Sequence, residues 1–562
     1  MEHTIKQLVA TALKDSFDLE GAAFAVEQPG DLSHGDYATN VALVVSKQLN
    51  KNPLEVAKAL VELMNEKKDN AISDITIAGP GFINFTLSKE FFSTTVKTIL
   101  TAQTQWGTSD MYKGKKILVE HSSPNLFKPF HVGHVMNNTI GESLSRLAVA
   151  SGAEVTTMSF PSDISLGIAK AIFIILEKLD QDNTYKWDNI IVLGNAYVEG
   201  TKRYEEDEAI QTRVKDIANN LYGLIESPEL TLFKQVRVLN IDYFKQTVKR
   251  LGTVFNDDNF IYESEAGIEG KEIVLSNTPN IFTESEGALV YIPEEGRKDI
   301  NTSVFINSEG NPTYEAKDIG LMEMKFQRFS PDMSLFVTDN QQVPHFNVVL
   351  DAAKKINQKW SDNSIHIHHG RMAFKGQKMS SRLGGVPLAE TLIDTVAEEV
   401  RVKARDTDDT SADAIAIGAI KFSILRAAAG KDINFDPETS LSFEGDSGPY
   451  LQYSTVRARS ILAKANDIAP DETLPEGWDT TTVEKLLIHY PEVVVHAIQD
   501  WSPHHLVTYL LELAQSFNSW YGNTKIIDET PESPYKLALT KAFAQTMHNG
   551  LQLLGMEVPE KM

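Results

Sequence analysis

The chain has 562 residues, 42% hydrophobic and 23% charged, a composition typical of a folded protein of roughly three or four domains. It contains no cysteine, which excludes disulfides, thiolate nucleophiles and cysteine-ligated zinc. The formal net charge of −24 taken alone argues against a nucleic-acid partner, because phosphate contacts need lysine and arginine, although a local basic stripe stays compatible with it.

The first part of the chain, residues 1–112, has the pattern of a separate α+β domain. Apolar residues at helical spacing predict helices over 5–17 and 53–64. Short apolar runs at 75–77 and 82–85 lie on either side of a Gly-Pro-Gly turn signal and predict two strands.

Residues 113–390 open with a β-loop-α-β pattern. The apolar run 116–120 is typical of a buried parallel strand, and a helix over 137–150 and a strand over 153–158 follow it. This order predicts a Rossmann-like, doubly wound parallel sheet. After a charged insertion at about 175–310, the sheet is expected to resume with strands at 334–338 and 365–368.

Residues 391–562 have a helical pattern throughout, with long apolar-periodic segments at 412–429, 506–520 and 537–554. They predict an all-α helix bundle. The predicted fold class is therefore α/β and multidomain, with an N-terminal α+β domain, a Rossmann-like doubly wound central domain carrying an insertion, and a C-terminal helical domain.

A histidine pair follows the first strand of the central domain. Gly133 lets the backbone approach a ligand closely, and a helix starting just after it would direct its amides and positive dipole end at phosphate. His131 and His134 lie three apart and would share one side of that turn, where neutral rings can donate hydrogen bonds to phosphate. Taken alone, a surface or metal-binding histidine pair is favoured by roughly two to one.

A second string, Lys378-Met379-Ser380-Ser381-Arg382, lies in the glycine-rich stretch 376–385. Mobile backbone with cationic ends suits stabilisation of a leaving pyrophosphate. Taken alone, such a run is more often a solvated basic loop.

The two strings together, in this order, resemble the HIGH and KMSKS sequences of class I aminoacyl-tRNA synthetases. In that class the histidines bind the ATP phosphates and stabilise the transition state, and the loop holds pyrophosphate. The resemblance implies ATP as a substrate, with Mg²⁺ entering as Mg-ATP. No metal site is expected in the protein, and because cysteine is absent no protein-ligated zinc is expected.

The flanking residues narrow the resemblance to arginyl-tRNA synthetase. The stretch from Glu120 to His134 is similar to that family's pattern around HIGH, and other similar segments run along the whole chain: 34–40, 79–84, 314–318, 339–346, 445–453 and 553–562. The expected function is ATP-dependent activation of L-arginine and its transfer to tRNA(Arg).

The resemblance implies a set of site residues. An arginine substrate carries a planar guanidinium, so its pocket should offer carboxylates. Tyr314 and Asp318 lie four apart and would share one face of a helix. The residues implied at the arginine site are Glu120, Ser123, Asn125, His131, Glu263, Tyr314, Asp318 and Gln342.

For ATP, the implied binding residues are His131, Gly133, His134, Gly370, Met372, Lys378, Met379, Ser380 and Ser381, with His131, His134, Lys128 and Lys378 as the catalytic set. In this family a lysine just before the first string is thought to compensate for a missing loop lysine, and this chain has both Lys128 and Lys378. The implied tRNA contacts are Phe82 and Asn84 in the first domain, and Tyr521 and Met562 in the helical domain that should read the anticodon.

One stretch departs from the family pattern. Where the family usually has Gly-Asp-Trp-Gly-x-Gln, this chain has Ser162-Asp163-Ile164-Ser165-Leu166-Gly167, so that Asp163 is retained and the tryptophan and both glycines of the pattern are lost. The altered stretch keeps open the alternative of a non-enzymatic, synthetase-like paralogue with a tRNA-binding or regulatory role, against which the retained His131, His134 and Lys378 argue.

Two other enzymes share part of the pattern. A small HxGH nucleotidyltransferase would need neither the long helical tail nor the distant basic loop. Cysteinyl-tRNA synthetase is disfavoured because its zinc site needs cysteines, which are absent. Because no apolar run is long enough to span a membrane and the first residues lack a signal-peptide pattern, we expect a cytoplasmic protein without a membrane partner. We also expect a monomer.

Overall fold

A computed structural model describes residues 1–375, 388–403, 408–465 and 468–562. Their contacts group them into two units. The first comprises Met1–Thr108, Tyr453–Val494 and Tyr509–Gly550, and the second comprises Ser109–Gln452, Val495–Thr508 and Leu551–Met562.

The first 108 residues are an α+β arrangement, as predicted. The helices are α1 (Glu2–Phe17), α2 (Val41–Leu49), α3 (Pro53–Lys67) and α4 (Lys89–Ala102), and the strands are β1 (Val26–Glu27), β2 (Tyr37–Thr39), β3 (Ile72–Ala78) and β4 (Phe82–Leu87). The strands form an antiparallel sheet in the order β1-β2-β4-β3. Asn52 caps α3 by accepting a hydrogen bond from the Leu54 N–H, and Pro53 occupies the first helical position, where its missing N–H costs nothing.

The central part of the chain alternates strands and helices. Its elements are β5 (Lys116–Glu120), α5 (Val132–Ala150), β6 (Glu154–Met158), α6 (Leu166–Gln181), α7 (Ile190–Glu206), α8 (Glu208–Tyr222), α9 (Pro228–Arg250), α10 (Glu263–Ser276), β7 (Phe282–Ser285), β8 (Ala288–Tyr291), β9 (Ser303–Ile306), α11 (Tyr314–Phe329), β10 (Met333–Asp339), α12 (Val343–Ile356), α13 (Gln358–Asp362), β11 (Ser364–His369) and β12 (Met372–Phe374).

Helices dominate the remainder. They are α14 (Ala389–Lys403), α15 (Asp409–Leu425), α16 (Pro437–Ser440), α17 (Gly448–Ala463), α18 (Thr482–Leu487), α19 (Tyr490–Gln499), α20 (His504–Asn523) and α21 (Ser533–Leu553), and β13 (Ile433–Phe435) pairs in parallel with β12. Within the described residues, no helix is long and apolar enough to cross a membrane.

The central sheet has the strand order β11-β10-β5-β6, and all of its pairs are parallel. The core positions of β5 (Ile117, Leu118 and Val119) are at most 1% exposed because helices cover both faces of a parallel sheet. The predicted strands at 116–120, 153–158, 334–338 and 365–368 and the predicted fold class are confirmed. Polar residues that follow β5, β10 and β11 gather at the shared carboxyl edge, which is where open α/β sheets bind ligands.

The segment predicted as an insertion contains two kinds of structure. Helices α7 to α9 bury their apolar faces in one core with α5 and α6, whereas β7 to β9 form a small antiparallel sheet. Helices α14 and α15 also pack into the core that contains α5 to α9. The domain boundaries predicted after residues 112 and 390 stay predictions.

A partly buried carboxylate, that of Glu492, organises part of the first unit. Glu492 accepts hydrogen bonds from the Tyr37 hydroxyl at 2.8 Å and from the Glu2 backbone N–H at 2.8 Å, and His489 lies 3.3 Å away. Burial alone would raise the pKa of this carboxyl, but the hydrogen bond with His489 and the other donors outweigh it and lower the pKa to about 2.

We expect Glu492→Gln to lower the free energy of unfolding by about 2–3 kcal/mol at pH 7, because the amide lacks the charge-assisted bonds. A carboxyl whose pKa is depressed in the folded state stabilises the fold above its unfolded pKa, about 4.3, and loses that effect as the pH falls toward 2. The difference in urea midpoint between the wild type and the variant should therefore shrink as the pH falls from about 5 to about 2. Glu20→Gln removes an exposed pair with Lys14 and is the control, with an expected change under about 0.5 kcal/mol. A midpoint difference that does not depend on pH would contradict this assignment.

Candidate active site

A cavity of about 540 Å³ opens at the carboxyl edge of the central sheet. Its wall combines histidines, carboxylates, amides and aromatic rings, a mixture typical of a site for a polar ligand. The lining residues are Glu120, Ser123, Asn125, His131, Gly133, His134, Asn137, Phe160, Ser162, Glu263, Tyr314, Lys317, Asp318, Val337, Thr338, Asp339, Gln342, His345, Phe346 and His369.

The loop after β5 is held by amide side chains. Asn137 of α5 accepts a hydrogen bond from the Ser122 N–H and donates one to the Val337 carbonyl, both at 2.5 Å, so it ties the ends of β5 and β10 together. Ser122 has a left-handed backbone, with φ 59°, and its hydroxyl accepts a hydrogen bond from Asn138 at 3.1 Å. These bonds position Ser123 and Asn125 on the cavity wall.

The two histidines cap the helix that they begin. Helix α5 starts at Val132, slightly before the predicted start after Gly133, and His131 is its N-cap. The His131 Nδ1 accepts from the Gly133 N–H, and the His134 Nδ1 accepts from the His131 N–H, each at 3.1 Å. The two rings stack with centroids 3.8 Å apart and satisfy backbone donors that the first helical turn leaves free.

This reciprocal cap determines where each ring carries its proton. An Nδ1 that accepts a backbone hydrogen bond has no proton, so in the neutral ring the proton lies on Nε2. Burial lowers the pKa of His134 well below its ordinary value, with further lowering by His131 and Lys128. Burial and Lys128 also lower the pKa of His131. Both rings are therefore neutral at pH 7, with Nε2–H groups available as donors.

Gly133 and Lys128 adjoin this pair in different ways. A Cβ added at Gly133 would come within 3.1 Å of the His131 ring, so glycine allows that ring to fold back over the helix end. Lys128 is exposed, and its Nζ lies 4.5 Å from the centre of the Tyr197 ring. It is absent from the cavity lining but close enough to lower both histidine pKa values.

Two cavity carboxylates are matched by buried lysines of α11. Lys325 forms an ion pair with Glu120, and its side chain is 5% exposed. Lys317 lies 2.9 Å from Glu263, and its side chain is 4% exposed. Burial raises the pKa of Glu263 and would lower that of Lys317, but the Glu263 carboxylate outweighs burial and raises the Lys317 pKa, so the lysine stays charged.

A third carboxylate is matched by a histidine. The His345 Nε2 lies 2.6 Å from Asp318 Oδ2, and its Nδ1 lies 3.8 Å from Glu315 Oε1. Burial would lower the pKa of His345, but the hydrogen bond with Asp318 and the negative charges of Asp318 and Glu315 outweigh burial and raise the pKa to about 9. The ring is therefore an imidazolium at pH 7.

The stretch 162–167, which departs from the family pattern, builds the cavity mainly through its backbone. The Ile164 carbonyl accepts a hydrogen bond from Lys317 at 3.2 Å, and Ser162 pairs with Asn125 in an isolated bridge. Asp163 is fully buried and accepts from the N–H and the hydroxyl of Ser264 at 2.8 and 2.7 Å, which fixes the first turn of α10. The retained aspartate therefore holds the element that carries Glu263.

The cavity brings together all eight residues implied for arginine, together with Gly133 and His134. Gly370 and Met372 come directly after β11 but are not in the lining, which reaches His369 there. Lys378, Met379, Ser380 and Ser381 lie outside the described residues.

The residues implied for tRNA lie in other surroundings. Phe82 is 41% exposed and borders, with the buried Asn84, a separate cavity of about 390 Å³ in the first domain. Tyr521 is 39% exposed, stacks parallel to Phe517 and has the Arg457 guanidinium 5.8 Å from its ring centre. Met562 is half-buried and packs against the core that contains α5.

Sequence reasoning missed three cations, Lys317, Lys325 and His345. Two of them stand inside segments already recognised, Lys317 beside Asp318 and His345 three positions after Gln342. Because a buried carboxylate needs a positively charged partner, a search for cations near the predicted carboxylates could have identified them. Among the described residues, no group of three or more His, Asp or Glu side chains could hold a metal ion.

The sequence matches the family described as tRNA synthetases class I (R), catalytic domain, over residues 95–436. The DALR anticodon binding domain matches residues 451–562, and the arginyl tRNA synthetase N terminal domain matches residues 3–87.

Relatives match over the full chain. An arginine–tRNA ligase of Borrelia hermsii is 30% identical over 590 residues, covering 100% of this chain and 97% of its own. One of Ligilactobacillus salivarius is 28% identical and covers 100% of both chains. The solved arginyl-tRNA synthetase of Thermus thermophilus has a TM-score of 0.80 at 24% identity over 100% of both chains, a likeness that shows the fold.

We expect ¹⁵N NMR of histidine-labelled protein at pH 7 to find both rings neutral with the proton on Nε2, because each Nδ1 accepts a backbone N–H. Both should titrate below the ordinary value of about 6.5. Loss of the corresponding resonances in His131→Gln and in His134→Gln assigns the signals. A proton on Nδ1, or titration above pH 6.5, would contradict the reciprocal cap.

Proposed function

The chain belongs to the arginyl-tRNA synthetase family of class I tRNA synthetases, and from this membership we propose which of its residues carry the steps of arginine activation and transfer. The activity predicted from the sequence, ligation of arginine to tRNA, is confirmed, and the class implies that ATP drives it. The observation that carries the assignment of roles is one cavity in which neutral histidine donors face a group of carboxylates.

In the first step, the carboxylate of L-arginine attacks the α-phosphorus of ATP, the bond to the bridging oxygen breaks, and pyrophosphate leaves. In the second, a ribose hydroxyl of the terminal adenosine of tRNA attacks the arginyl carbonyl and AMP leaves. Because little covalent chemistry falls to the protein, catalysis consists of positioning the reactants and stabilising charge.

We assign ATP to the histidine end of the cavity. His131 and His134 present neutral Nε2–H donors at the start of α5, where the helix dipole also favours phosphate. Neutral donors stabilise developing negative charge without forming a tight ion pair with ground-state ATP. Lys128 adds long-range positive charge, and backbone groups of Gly370 and Met372 would contact adenine.

The loop residues Lys378, Met379, Ser380 and Ser381 complete the proposed ATP set through their resemblance to KMSKS. Mg²⁺ would arrive on the ATP phosphates and neutralise part of their charge.

Arginine occupies the carboxylate end of the cavity in this proposal. Asp318 and Glu263 are proposed to recognise its cationic groups, with Tyr314 and Gln342 framing the substrate. Contacts to tRNA are proposed for Phe82 and Asn84 in the first domain and for Tyr521 and Met562 near the other end of the chain. We further propose that the protein acts as a cytoplasmic monomer.

ATP–pyrophosphate exchange tests the assignment. Wild-type exchange should require L-arginine and cognate tRNA, as the family implies. Asp318→Asn should lower kcat/KM for arginine by about 30- to 150-fold and leave the ATP KM nearly unchanged, since a charge-assisted contact is worth about 2–3 kcal/mol. Glu323→Gln, on the same helix but outside the cavity lining, is the control. An equal loss for ATP and arginine would refute the role of Asp318, and exchange with another amino acid but not with arginine would refute the function.

Tyr521 provides a test of the tRNA contact. An exposed ring can stack on a base, a contact worth roughly 1–3 kcal/mol, so Tyr521→Ala should weaken tRNA binding by about 5- to 150-fold. Because no phosphate charge is involved, the slope of log affinity against log salt should stay the same. Tyr521→Phe keeps the ring and should keep most of the affinity. Unchanged affinity in the alanine variant would remove Tyr521 from the tRNA interface.

A further inference from the structure

His345 differs from the other cations that face the cavity carboxylates. Among the described residues, Lys317 and Lys325 are buried lysines, whereas the His345 side chain is 24% exposed and lies on the first turn of α12. Its ring bridges two carboxylates of α11, at 2.6 Å from Asp318 and 3.8 Å from Glu315. Histidine is also the side chain whose charge can change near neutral pH.

The Asp318 carboxylate, which His345 contacts, is also proposed to bind the arginine substrate. A guanidinium binds a carboxylate most strongly through two parallel N–H···O bonds, which use both oxygens. In the structure, Asp318 Oδ2 already accepts the Nε2–H of His345. A guanidinium that arrives at Asp318 therefore competes with an imidazolium for one oxygen and is repelled by its charge.

We propose that His345 is a proton-linked positioning residue, whose imidazolium holds Asp318 and the neighbouring Glu315 before arginine binds and loses its Nε2 proton to solvent when arginine binds. The N–H bond of the ring breaks and the proton goes to buffer. The ring that is left is neutral, with Nδ1–H directed toward Glu315 and an Nε2 lone pair that can accept a guanidinium N–H. This inference rests on the proposed arginine role of Asp318.

The surroundings of His345 fit this exchange. Glu315 and Asp318 face it from α11, and they raise its pKa to about 9 against the opposing effect of burial. His366 faces it from β11, and burial, with smaller effects of His368 and His345, lowers the His366 pKa to about 4, so that ring is neutral. Asp339, at the end of β10, lines the same cavity and is engaged by the Gln341 N–H at 2.7 Å.

Linkage gives the direction of the pH dependence. A bound guanidinium shares the Asp318 carboxylate and lowers the pKa of His345 from its value in the empty site. Between the lowered value and about pH 9, arginine binding releases up to one proton and arginine affinity rises by up to about tenfold per pH unit. Well below that window the ring is protonated in both states, and above it the ring is neutral in both, so no proton is released.

Calorimetry of L-arginine binding to the full-length protein counts these protons. Titrations at pH 8 in phosphate, HEPES and Tris give the number released from the slope of observed enthalpy against the ionisation enthalpy of the buffer. We expect a release of about half to one proton in the wild type at pH 8 and nearly none at pH 5.5. His345→Gln, which keeps an N–H donor, should lose the release and flatten the pH dependence of affinity. The difference between the two proteins removes any contribution from the substrate's own amino group.

His366→Gln is the matched control, because it removes a neighbouring histidine that is already neutral, and it should retain the wild-type release. Arginine binding without proton release in the wild type, or equal release in His345→Gln, would overturn the role of His345 and leave the proposed function intact. If the wild type bound no arginine at all, the proposed function would fail instead. The wild-type proton count does not depend on whether any variant folds.

Discussion

A carboxylate in a partly buried cavity needs a positive partner, and this electrostatic constraint organises the candidate site. A site that recognises a guanidinium must present carboxylates, yet the same groups have to be stable before substrate arrives. Lys325, Lys317 and His345 meet that need for Glu120, Glu263 and Asp318. The cavity is therefore a set of matched charges rather than a simple anionic pocket.

Close packing of α10 against α11 brings one of these matched pairs together. A Cβ added at Gly270 would lie 1.8 Å from the Ala316 carbonyl oxygen, and one at Gly320 would lie 1.9 Å from that of Ala266. The two glycines allow the helix backbones to approach closely, so that Glu263 and Lys317 meet at 2.9 Å. The altered stretch 162–167 joins the same assembly through the Ile164 carbonyl and the Asp163 carboxylate, which explains how its other side chains can differ from the family pattern.

His131 and His134, which line the same cavity, have different electrostatics. At the start of α5 the histidine rings are neutral, and their donors come from ring tautomers that the helix cap itself selects. One cavity therefore joins neutral donors suited to phosphate with charged pairs suited to cationic groups. The net charge of −24 predicts neither the neutral donors nor the charged pairs, because both depend on which side chains are in contact in the folded protein.

The sequence by itself determined the family, the fold class, the main strands and helices, and a group of candidate residues that the structure brings to one cavity. Strong local signals made this possible: apolar runs, the two short strings and the polar residues around them. The tertiary structure alone decided that Lys317, Lys325 and His345 neutralise carboxylates and that the histidine rings cap α5. It also decided that Gly370 and Met372 lie outside the cavity lining. Ion pairing depends on distances between residues that are remote in sequence, such as Lys325 and Glu120, and no local pattern encodes those distances.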